Sequence, residues 1–508
     1  MTLVLMLACT SGSQDSALPT DSVPVDTSPA RDPLPVDPVP MAASTCIALP
    51  RATGVPALSG ISDDSPVTRA DLALLLTAPS PATLTCTAAD DPTEEHRLDS
   101  PTPALEHRWT VHGLLASQAY DCVARPTCDD QEASVTLTTG DLPVDLVEGT
   151  VTTDPERTLT GAYTLYNTKG FCDGEQPHRF VIVDPEGRIR WYWDGVDPDY
   201  GVGVVANYLG DDQVFAAGGT DVTAGPRILH LDGDPLYRTP TDWGITFHHY
   251  GEVLSNAHFL SVAEATDTLD GETWEGVHVV QHDPETDTIV QEWRSQQAVD
   301  AGEYQVFDVG TTGENLNVNW VSRDTDGDWY ASLCGAQRIA RIDPSSGDVV
   351  WVIGPELGWT LVDDAGGALT SDDWPQCQHG AEVLAPNQVL VYDNGRDRLE
   401  ARAAEYRVDP DTRTVTRTWV WTEPEWYEQA WGDVDALSED RVLLGIGHCS
   451  CCRPASDNVT RILEVDRPSG SVVWRYALPA DDSILYQASR IDGCAVFHNT
   501  RYCPERVD

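Results

Sequence analysis

Two histidines stand at matching positions ahead of two similar strand patterns. His249 begins the stretch His-Tyr-Gly-Glu-Val-Leu-Ser-Asn, and His379 begins His-Gly-Ala-Glu-Val-Leu-Ala-Pro-Asn. Asn317 begins a third strand pattern in the same register, Asn-Val-Asn-Trp-Val-Ser. A neutral imidazole is a competent nucleophile or proton carrier near pH 7. A single histidine before a strand is more simply explained as a structural residue, so the shared register is what indicates chemistry.

Six similar segments beyond residue 150 indicate which elements position these side chains. Each has an apolar strand, an Asp near its end, a polar or Gly-containing turn, and a second strand ending in a large side chain. The segments start about 47 to 65 residues apart, at Phe180, Arg227, Val277, Arg338, Ala403 and Arg461. This spacing is typical of four-stranded blades, and no segment has a sustained helical period. We therefore predict an all-β chain with a six-bladed β-propeller over residues 150–508.

Equivalent positions on successive propeller blades meet at one end of the central channel. We therefore expect His249, Asn317 and His379, on blades three, four and five, to line one pocket. His248 and Gln378 are the neighbours of the two histidines in sequence and are expected beside that pocket.

A smaller β domain is predicted over residues 45–143. The patterns at residues 111–114, 120–124 and 134–139 resemble the closing strands of a fibronectin type III β-sandwich, in which an apolar-Gly-Leu turn precedes a strand with an inward Tyr.

The first residues are similar to a bacterial lipoprotein signal. A short apolar run ends in Leu7-Ala8-Cys9, although Lys and Arg are missing from its start. Residues 10–44 are rich in Pro, Asp, Ser and Thr and are predicted to be a flexible linker. We expect an exported protein, lipid-anchored through Cys9 in the bacterial cell envelope, with a cytosolic tail as the alternative.

Cysteine usage also favours an oxidising compartment. Apart from Cys9 the chain has an even number of cysteines, and several lie close together in sequence. The group His448-Cys449-Ser450-Cys451-Cys452 is either a soft-metal site or a source of disulfides. Its spacing fits no standard zinc pattern, so we predict disulfides and no metal site.

The net charge of −51 excludes nucleic acid as the expected partner, because phosphate contacts need a basic surface. No calcium-loop motif ending in Glu accompanies this charge. We therefore interpret the charge as a solubility feature, and we expect no cofactor.

The stretch from Gln378 to Tyr406, which contains Gln378-His379 and Asp393-Asn394-Gly395, resembles the bacterial, propeller-type arylsulfotransferase family. So do His248-His249 and the segments that start at Arg338 and Arg461. The resemblance covers roughly residues 160 to 490. It implies sulfuryl transfer from an aryl sulfate to a phenol through a sulfohistidine, with His379 as the nucleophile. His249 would hold the sulfate or protonate the leaving phenolate.

The chain departs from the family pattern at two positions. The family motif Asp-Trp-x-His-x-Asn-Ser corresponds here to residues 314–320, so Asn317 replaces a catalytic His. A family Arg falls at Leu333-Cys334. The pairing of the cysteines stays open, and one candidate pairing is a bridge between Cys334 and Cys377. Arg396 or Arg398 is the candidate to supply the missing positive charge, and we expect Arg396 in the substrate-binding set.

The leading hypothesis is thus an aryl-sulfate sulfotransferase whose partners are a small aryl sulfate and a phenol. The alternative is a degenerate, surface-anchored propeller that only binds a ligand or a protein. Membrane contact is expected only through the lipid anchor, and a homodimer stays open.

Overall fold

The computed structural model describes most of the chain beyond residue 56. The described residues are 57–60, 67–127, 132–154, 156, 162–170, 179–194, 196–197, 201–202, 205–210, 212–217, 225–269, 271–302, 316–424, 426–428, 430–447, 460–478 and 483–503. The predicted lipid anchor Cys9, the linker over residues 10–44 and the cysteine group at 448–452 lie outside them.

The N-terminal sheet is built around two unusually long strands. Its members are β1 (Ala57–Gly60), β2 (Arg69–Ala88), β3 (Glu95–His112), β4 (Ala119–Pro126) and β5 (Ala133–Thr138). Strand β3 pairs along most of β2, whereas β1 pairs with the first half of β2 and β4 with its second half. Alternate side chains of β2 are buried, as expected for a strand with one face on a core. The described strands thus form one continuous sheet.

Six sheets of four or five strands, which we call the repeat sheets, and one separate two-stranded sheet follow within the described residues. Their strands are β6 (Thr150–Thr153), β7 (Ala162–Gly170), β8 (Arg179–Val183), β9 (Ile189–Asp194), β10 (Val196–Asp197), β11 (Gly201–Val202), β12 (Val205–Gly210), β13 (Gln213–Ala217), β14 (Arg227–His230), β15 (Pro235–Arg238), β16 (Phe247–Val253), β17 (Phe259–Leu269), β18 (Glu272–Asp283), β19 (Thr288–Arg294), β20 (Val318–Arg323), β21 (Trp329–Leu333), β22 (Arg338–Ile342), β23 (Val349–Ile353), β24 (Thr360–Asp363), β25 (Ala381–Ala385), β26 (Gln388–Asp393), β27 (Arg402–Asp409), β28 (Thr414–Trp421), β29 (Asp433–Ser438), β30 (Arg441–Ile446), β31 (Arg461–Asp466), β32 (Ser471–Ala477), β33 (Ser483–Ile484) and β34 (Ala488–Asp492).

The first repeat sheet contains β7, β8, β9, β33 and β34, and the second contains β12 to β15. The third contains β16 to β19, the fourth β20 to β23, and the fifth β24 to β28. The sixth contains β29 to β32 and is completed by β6 from the start of the region. Strands β10 and β11 pair only with each other. The helices of the described residues are short: α1 (Ser295–Asp300), α2 (Cys494–Phe497) and two 3₁₀ turns, Thr241–Trp243 and Ser371–Asp373. The chain is therefore all-β, as predicted.

Hairpins occupy all six segments that share the Asp-turn pattern, and all are antiparallel. The Asp carboxylate closes the turn by accepting hydrogen bonds from backbone N–H groups further along. Asp184 Oδ1 accepts from the N–H of Glu186 (2.9 Å) and of Arg188 (3.0 Å). Asp343 Oδ1 accepts from the N–H of Ser345 at 2.8 Å. Such side-chain turns explain why Asp recurs at the end of the first strand.

Tryptophans on the second strand of four hairpins each link one repeat sheet to the next. Trp191 Nε1 donates to Leu231 O in the second sheet (2.6 Å), and Trp293 Nε1 donates from the third sheet to Gly347 O in the fourth (3.0 Å). Two more tryptophans bridge the fifth to the sixth sheet and the sixth to the first, through Trp421 Nε1 to Gly470 O (2.9 Å) and Trp474 Nε1 to Pro185 O (2.9 Å). The indoles fill the space between sheets, and their N–H groups meet turn carbonyls.

Strands of neighbouring repeat sheets also contact one another in chain order. Strand β7 contacts β12, β13 contacts β16, β16 contacts β20, β20 contacts β25, and β26 contacts β29. Strand β30 of the sixth sheet contacts β34 of the first, so the succession of sheets closes on itself. Residues that lie before the first strands of neighbouring sheets are thereby brought together.

Three disulfides join described cysteines: Cys86–Cys122 within the N-terminal sheet, Cys334–Cys377 between the fourth and fifth repeat sheets, and Cys494–Cys503 around α2. The candidate bridge between Cys334 and Cys377 is therefore confirmed. Disulfides are typical of exported proteins, which fold in an oxidising compartment. Within the described ranges, no helix has the length and apolar composition needed to cross a membrane.

Candidate functional site

A cavity of about 180 Å³ lies where the strands β16, β20, β25 and β29 of the third to sixth repeat sheets begin. Its lining comprises His249, Asn317, Cys334, Cys377, His379, Arg396, Ala430 and Trp431. His249 lies in β16, and Asn317, His379 and Trp431 come shortly before β20, β25 and β29. The structure thus brings together four of the predicted site residues: His249, Asn317, His379 and Arg396.

His379 is buried and oriented through one ring nitrogen. Nδ1 lies 2.8 Å from Asn394 Oδ1 and 3.2 Å from Cys377 O, and both partners are acceptors. Nδ1 therefore carries the hydrogen, and Nε2 has no hydrogen-bond partner among the described residues. Burial lowers the pKa of His379 to about 4, although the hydrogen bonds to Asn394 and Cys377 act in the opposite direction. The ring is thus uncharged at neutral pH, with a lone pair on Nε2.

The Asp393-Asn394-Gly395 turn holds the partner of His379. Asp393 is fully buried, and its Oδ1 accepts from the N–H of Gln376 (2.8 Å) and of Gly395 (3.0 Å). Gly395 has φ +63°, and a Cβ there would lie 1.8 Å from Glu400 O, so only glycine fits. Asn394 Nδ2 donates to Trp431 O (2.9 Å) and Glu428 O (3.2 Å), which directs its Oδ1 to the histidine.

His249 contacts its neighbour His248 directly. The two Nδ1 atoms are 2.5 Å apart, so one of them donates and the other accepts. Burial lowers the pKa of His248 to about 4, which keeps this ring neutral. His248 is not among the residues that line the cavity. Its predicted substrate contact is therefore revised to a contact with His249.

Gln378 is also directed away from the cavity. Its side chain is fully buried, and Nε2 donates to Arg338 O at 2.7 Å. Its backbone carbonyl accepts from Asn319 Nδ2 at 2.9 Å. We therefore revise the predicted substrate-binding role of Gln378 to a structural one. The reason is strand alternation, because side chains of adjacent residues near a strand point to opposite sides.

The two candidate arginines have different surroundings. Arg396 lines the cavity. Arg398 instead pairs with Asp393 Oδ2 (2.9 Å) and donates to Asp372 O (2.7 Å). Of the two alternatives, only Arg396 is in a position to meet a ligand in the cavity.

Sequence reasoning missed two aromatic residues of the site. The ring of Tyr486 lies 6.2 Å from the rings of both His249 and His379 and 5.7 Å from that of Trp431. Its hydroxyl donates to Asn319 O at 2.9 Å. Trp431 directly precedes Gly432, and Gly432 begins a strand pattern in the same register as the two histidines. This position is the sequence signal from which Trp431 could have been predicted. Tyr486 reaches the site from the far end of the chain, which no local pattern indicates.

Four residues of the cavity wall have left-handed backbone conformations. The φ angles are +54° at His249, +45° at Asn317, +48° at Cys377 and +74° at Trp431. Such angles are uncommon for residues other than glycine and often occur at functional sites. These residues lie in or shortly before β16, β20, β25 and β29, respectively.

Across the described ranges, no group of three or more His, Cys, Asp or Glu side chains is arranged to hold a metal ion. The chemistry available at this cavity is that of a neutral imidazole with a free nitrogen, a second imidazole, an amide and a guanidinium. This set is suited to nucleophilic transfer of an anionic group.

Comparison with known proteins agrees with this chemistry. The family model described as Arylsulfotransferase (ASST) matches residues 148–487, which are 340 of the 508 residues. The chain therefore belongs to the arylsulfotransferase family. Among curated proteins, the comparison found no match.

Solved structures resemble the chain only distantly. A protein of unknown function from Bacteroides caccae is 10% identical and has a TM-score of 0.43, with 65% of this chain and 98% of that chain covered. A streptogramin B lyase is 12% identical, with a TM-score of 0.34 and coverage of 63% and 84%. AztD from Citrobacter koseri, in its apo form, is 11% identical, with a TM-score of 0.26 and coverage of 81% and 98%. We draw nothing further from scores this low.

Proposed function

We propose that the protein transfers a sulfuryl group from an aryl sulfate to a phenolic acceptor through a sulfohistidine at His379. The observation that supports this most strongly is the state of His379 in the cavity. Its Nδ1 is bound by Asn394, and its Nε2 keeps an uncharged lone pair. Family membership supplies the general reaction, and this geometry supports the residue-level mechanism.

In the first half-reaction, Nε2 of His379 attacks the sulfur atom. An N–S bond forms, the aryl O–S bond breaks, and the phenolate leaves with the bonding electron pair. His249 protonates the leaving oxygen. His249 lines the cavity, and its Nδ1 contact with His248 orients the ring.

Arg396 and Asn317 bind the sulfuryl oxygens in this proposal. Both side chains line the cavity, and both can donate hydrogen bonds to an anion. Arg396 takes the role of the family Arg, whose position is occupied here by the disulfide of Cys334. A local guanidinium is required because the chain as a whole carries a net charge of −51, which repels an anionic donor.

In the second half-reaction, the oxygen of the acceptor phenol attacks the sulfur. The N–S bond breaks, its electron pair returns to Nε2, and His249 takes the phenolic proton. Trp431 offers an aromatic surface beside the histidines for the acceptor or donor ring.

For the architecture, we propose a six-bladed β-propeller over residues 150–508, with each repeat sheet as one blade. The pairing of β6 with β32 supports this, because it joins the two ends of the region in one sheet. We further propose that residues 45–143 are a fibronectin type III-like sandwich, in which the one continuous sheet folds over so that β1 contacts β5. We also propose that residues 1–44 are a lipoprotein signal and linker. Cys9 would then anchor the exported protein in the cell envelope.

The proposal is tested with a chromogenic aryl sulfate and phenol. Wild-type protein should release phenolate, and His379→Ala should be slower by roughly a thousandfold or more, because the nucleophile is lost. His258→Ala is the matched control, since this partly exposed histidine does not line the cavity, and it should keep wild-type activity. Mass spectrometry of protein quenched without acceptor should show one added sulfo group on His379.

Two results would count against the enzyme. One is the lack of phenolate release by wild-type protein at high concentration, and the other is equal activity of the His379→Ala variant. If the aryl sulfate binds without turnover, the alternative of a binding-only propeller is supported instead.

A further inference from the structure

Among the described residues, Asn394 is the one side chain that makes a hydrogen bond to the ring of His379. It is fully buried, and its amide orientation is fixed by its own two donated bonds. These bonds go to backbone carbonyls, which can only accept, so the atom that faces His379 Nδ1 at 2.8 Å is the oxygen. The backbone carbonyl of Cys377, 3.2 Å from the same nitrogen, is also an acceptor.

We infer that Asn394 is a positioning residue that fixes His379 in the tautomer with hydrogen on Nδ1 and leaves Nε2 as the reactive lone pair. The tautomer follows from the acceptors alone, whereas its consequence for turnover rests on the proposed function. Without this bond, the two tautomers of a neutral imidazole compete, and one of them presents a hydrogen on Nε2 instead of a lone pair.

The neutral amide also has a second consequence for transfer. Once Nε2 has formed the N–S bond, Nδ1 keeps its hydrogen and the ring carries a positive charge. A carboxylate at position 394 would stabilise this cation and therefore the sulfo-enzyme. The amide accepts the same hydrogen without adding a charge. The charged imidazole of His379 thus remains a good leaving group for the sulfo group. Attack by the phenol then returns the electron pair of the N–S bond to Nε2.

The surroundings of Asn394 support a dedicated role. Asp393 and Gly395 on either side shape the turn, and Asp393 is held by Arg398 and Arg402 at 2.9 and 2.8 Å. The carbonyls that hold the amide belong to Glu428 and Trp431. Trp431 itself lines the cavity. Its side chain therefore bounds the substrate space, and its backbone carbonyl holds the Asn394 amide that orients His379.

The first test reads the tautomer without using activity. Nitrogen NMR of ¹⁵N-histidine-labelled full-length protein, with His379→Ala to assign the signal, should show His379 protonated on Nδ1 and uncharged at pH 6. A ring protonated on Nε2, or a charged ring at that pH, would overturn the inference. If the Nδ1–H form is found but no aryl sulfate is cleaved, the proposed function fails and the tautomer assignment stands.

The second test compares Asn394→Asp with Asn394→Ala. The aspartate should move the acid limb of kcat/KM to higher pH by about one unit or more, because it stabilises the charged ring. It should also make the sulfo-enzyme accumulate while phenol is turning over. The alanine should lose about tenfold to hundredfold in kcat/KM, the range for one buried hydrogen bond. Asn256→Asp, at an exposed position, is the charge-matched control.

An Asn394→Asp variant with the wild-type acid limb and no sulfo-enzyme accumulation would contradict a positioning role. Circular dichroism and thermal melting establish that each variant is folded. If a variant does not fold, the wild-type NMR spectrum alone decides the tautomer.

Discussion

Because its ring is buried, His379 is expected to remain a competent nucleophile at mildly acidic pH. Its pKa is lowered to about 4, so the lone pair on Nε2 is present at every pH above that value. A histidine with an ordinary pKa near 6.5 would lose its nucleophile between pH 7 and 6. We therefore expect kcat/KM for an aryl sulfate not to fall between pH 7 and about pH 5, because the nucleophile stays unprotonated over this range. A pH–rate profile on pre-equilibrated enzyme measures this, and a loss of activity centred near pH 6.5 would contradict it.

Arg396 should govern affinity for the anionic donor. Arg396→Gln is expected to raise KM for an aryl sulfate by about tenfold, because a charge-assisted hydrogen bond to the sulfate is lost. Arg407→Gln removes the same charge at an exposed site of β27 and should leave KM unchanged. Equal effects of the two substitutions would mean that only the overall charge of the protein matters.

The histidines and Asn317 were predictable as a group because their register repeats along the chain. Strand register is read directly from sequence, and so is the closeness of equivalent positions in repeated sheets. The direction of each side chain was harder to predict. Gln378 and His248 are adjacent to cavity residues but turn away, whereas Tyr486 enters from a distant segment.

At the scale of elements, a buried ionic cluster joins the N-terminal sheet to the first repeat sheet. Glu94, before β3, accepts from Arg190 Nη2 at 3.0 Å, from Arg188 at 3.2 Å and from Asn499 at 2.6 Å. Burial alone would raise the pKa of Glu94, but hydrogen bonds from His96 and Arg190 hold it well below its usual range. The carboxylate is therefore ionised and fully paired.

Removing this carboxylate should destabilise the whole protein. Glu94→Ala leaves the fully buried Arg190 with less compensation and is expected to cost about 3–5 kcal/mol of unfolding free energy. Chemical denaturation measures the loss, with Glu106→Ala, at an exposed position on β3, as the control. A loss below about 1 kcal/mol would show that the cluster contributes little.

The hairpins of the repeat sheets were predictable because the Asp-turn signal is local. The length of β2 and β3 was not predicted from the sequence. The register of their pairing shifts between Leu75 and Ser80, and no short sequence pattern indicates such a shift. A second local signal is misleading on its own. Asp324-Thr-Asp326-Gly-Asp328 has the look of a cation-binding loop, but Arg341 lies 3.2, 3.3 and 2.7 Å from its three carboxylates. The positive charge that pairs with these carboxylates is thus the guanidinium of Arg341 from β22, which the local pattern does not indicate.

At the scale of the whole molecule, four acids on β16, β25 and β29 interact with one another, and of these Asp433 is fully buried and the other three are partly buried. Burial raises the pKa of Glu252 to about 8 and that of Glu382 to about 7, and it raises the pKa values of Asp433 and Asp435 well above their ordinary range. Mutual repulsion adds to the effect, because Glu382 also raises the pKa values of Glu252 and both aspartates.

These acids should make the fold less stable as the pH rises. In the unfolded chain they ionise near pH 4, whereas in the fold they keep their protons, so stability falls from about pH 4.5 through about pH 8. Thermal melting between pH 5 and 8 should show a falling Tm, and Glu252→Gln should flatten this slope. Glu264→Gln, exposed on β17, serves as the control. A Tm that rises over this range would contradict the prediction.

The left-handed backbone at His249, Asn317, Cys377 and Trp431 restricts how this cavity can diverge. Branched side chains such as Val, Ile and Thr clash with their own main chain at such angles, whereas Asn, Asp, His and Gly tolerate them best. Substitutions at these positions are therefore expected to favour small polar residues or glycine over branched apolar residues. Asn317 belongs to that set, so new substrate preferences can arise at this position without loss of the scaffold.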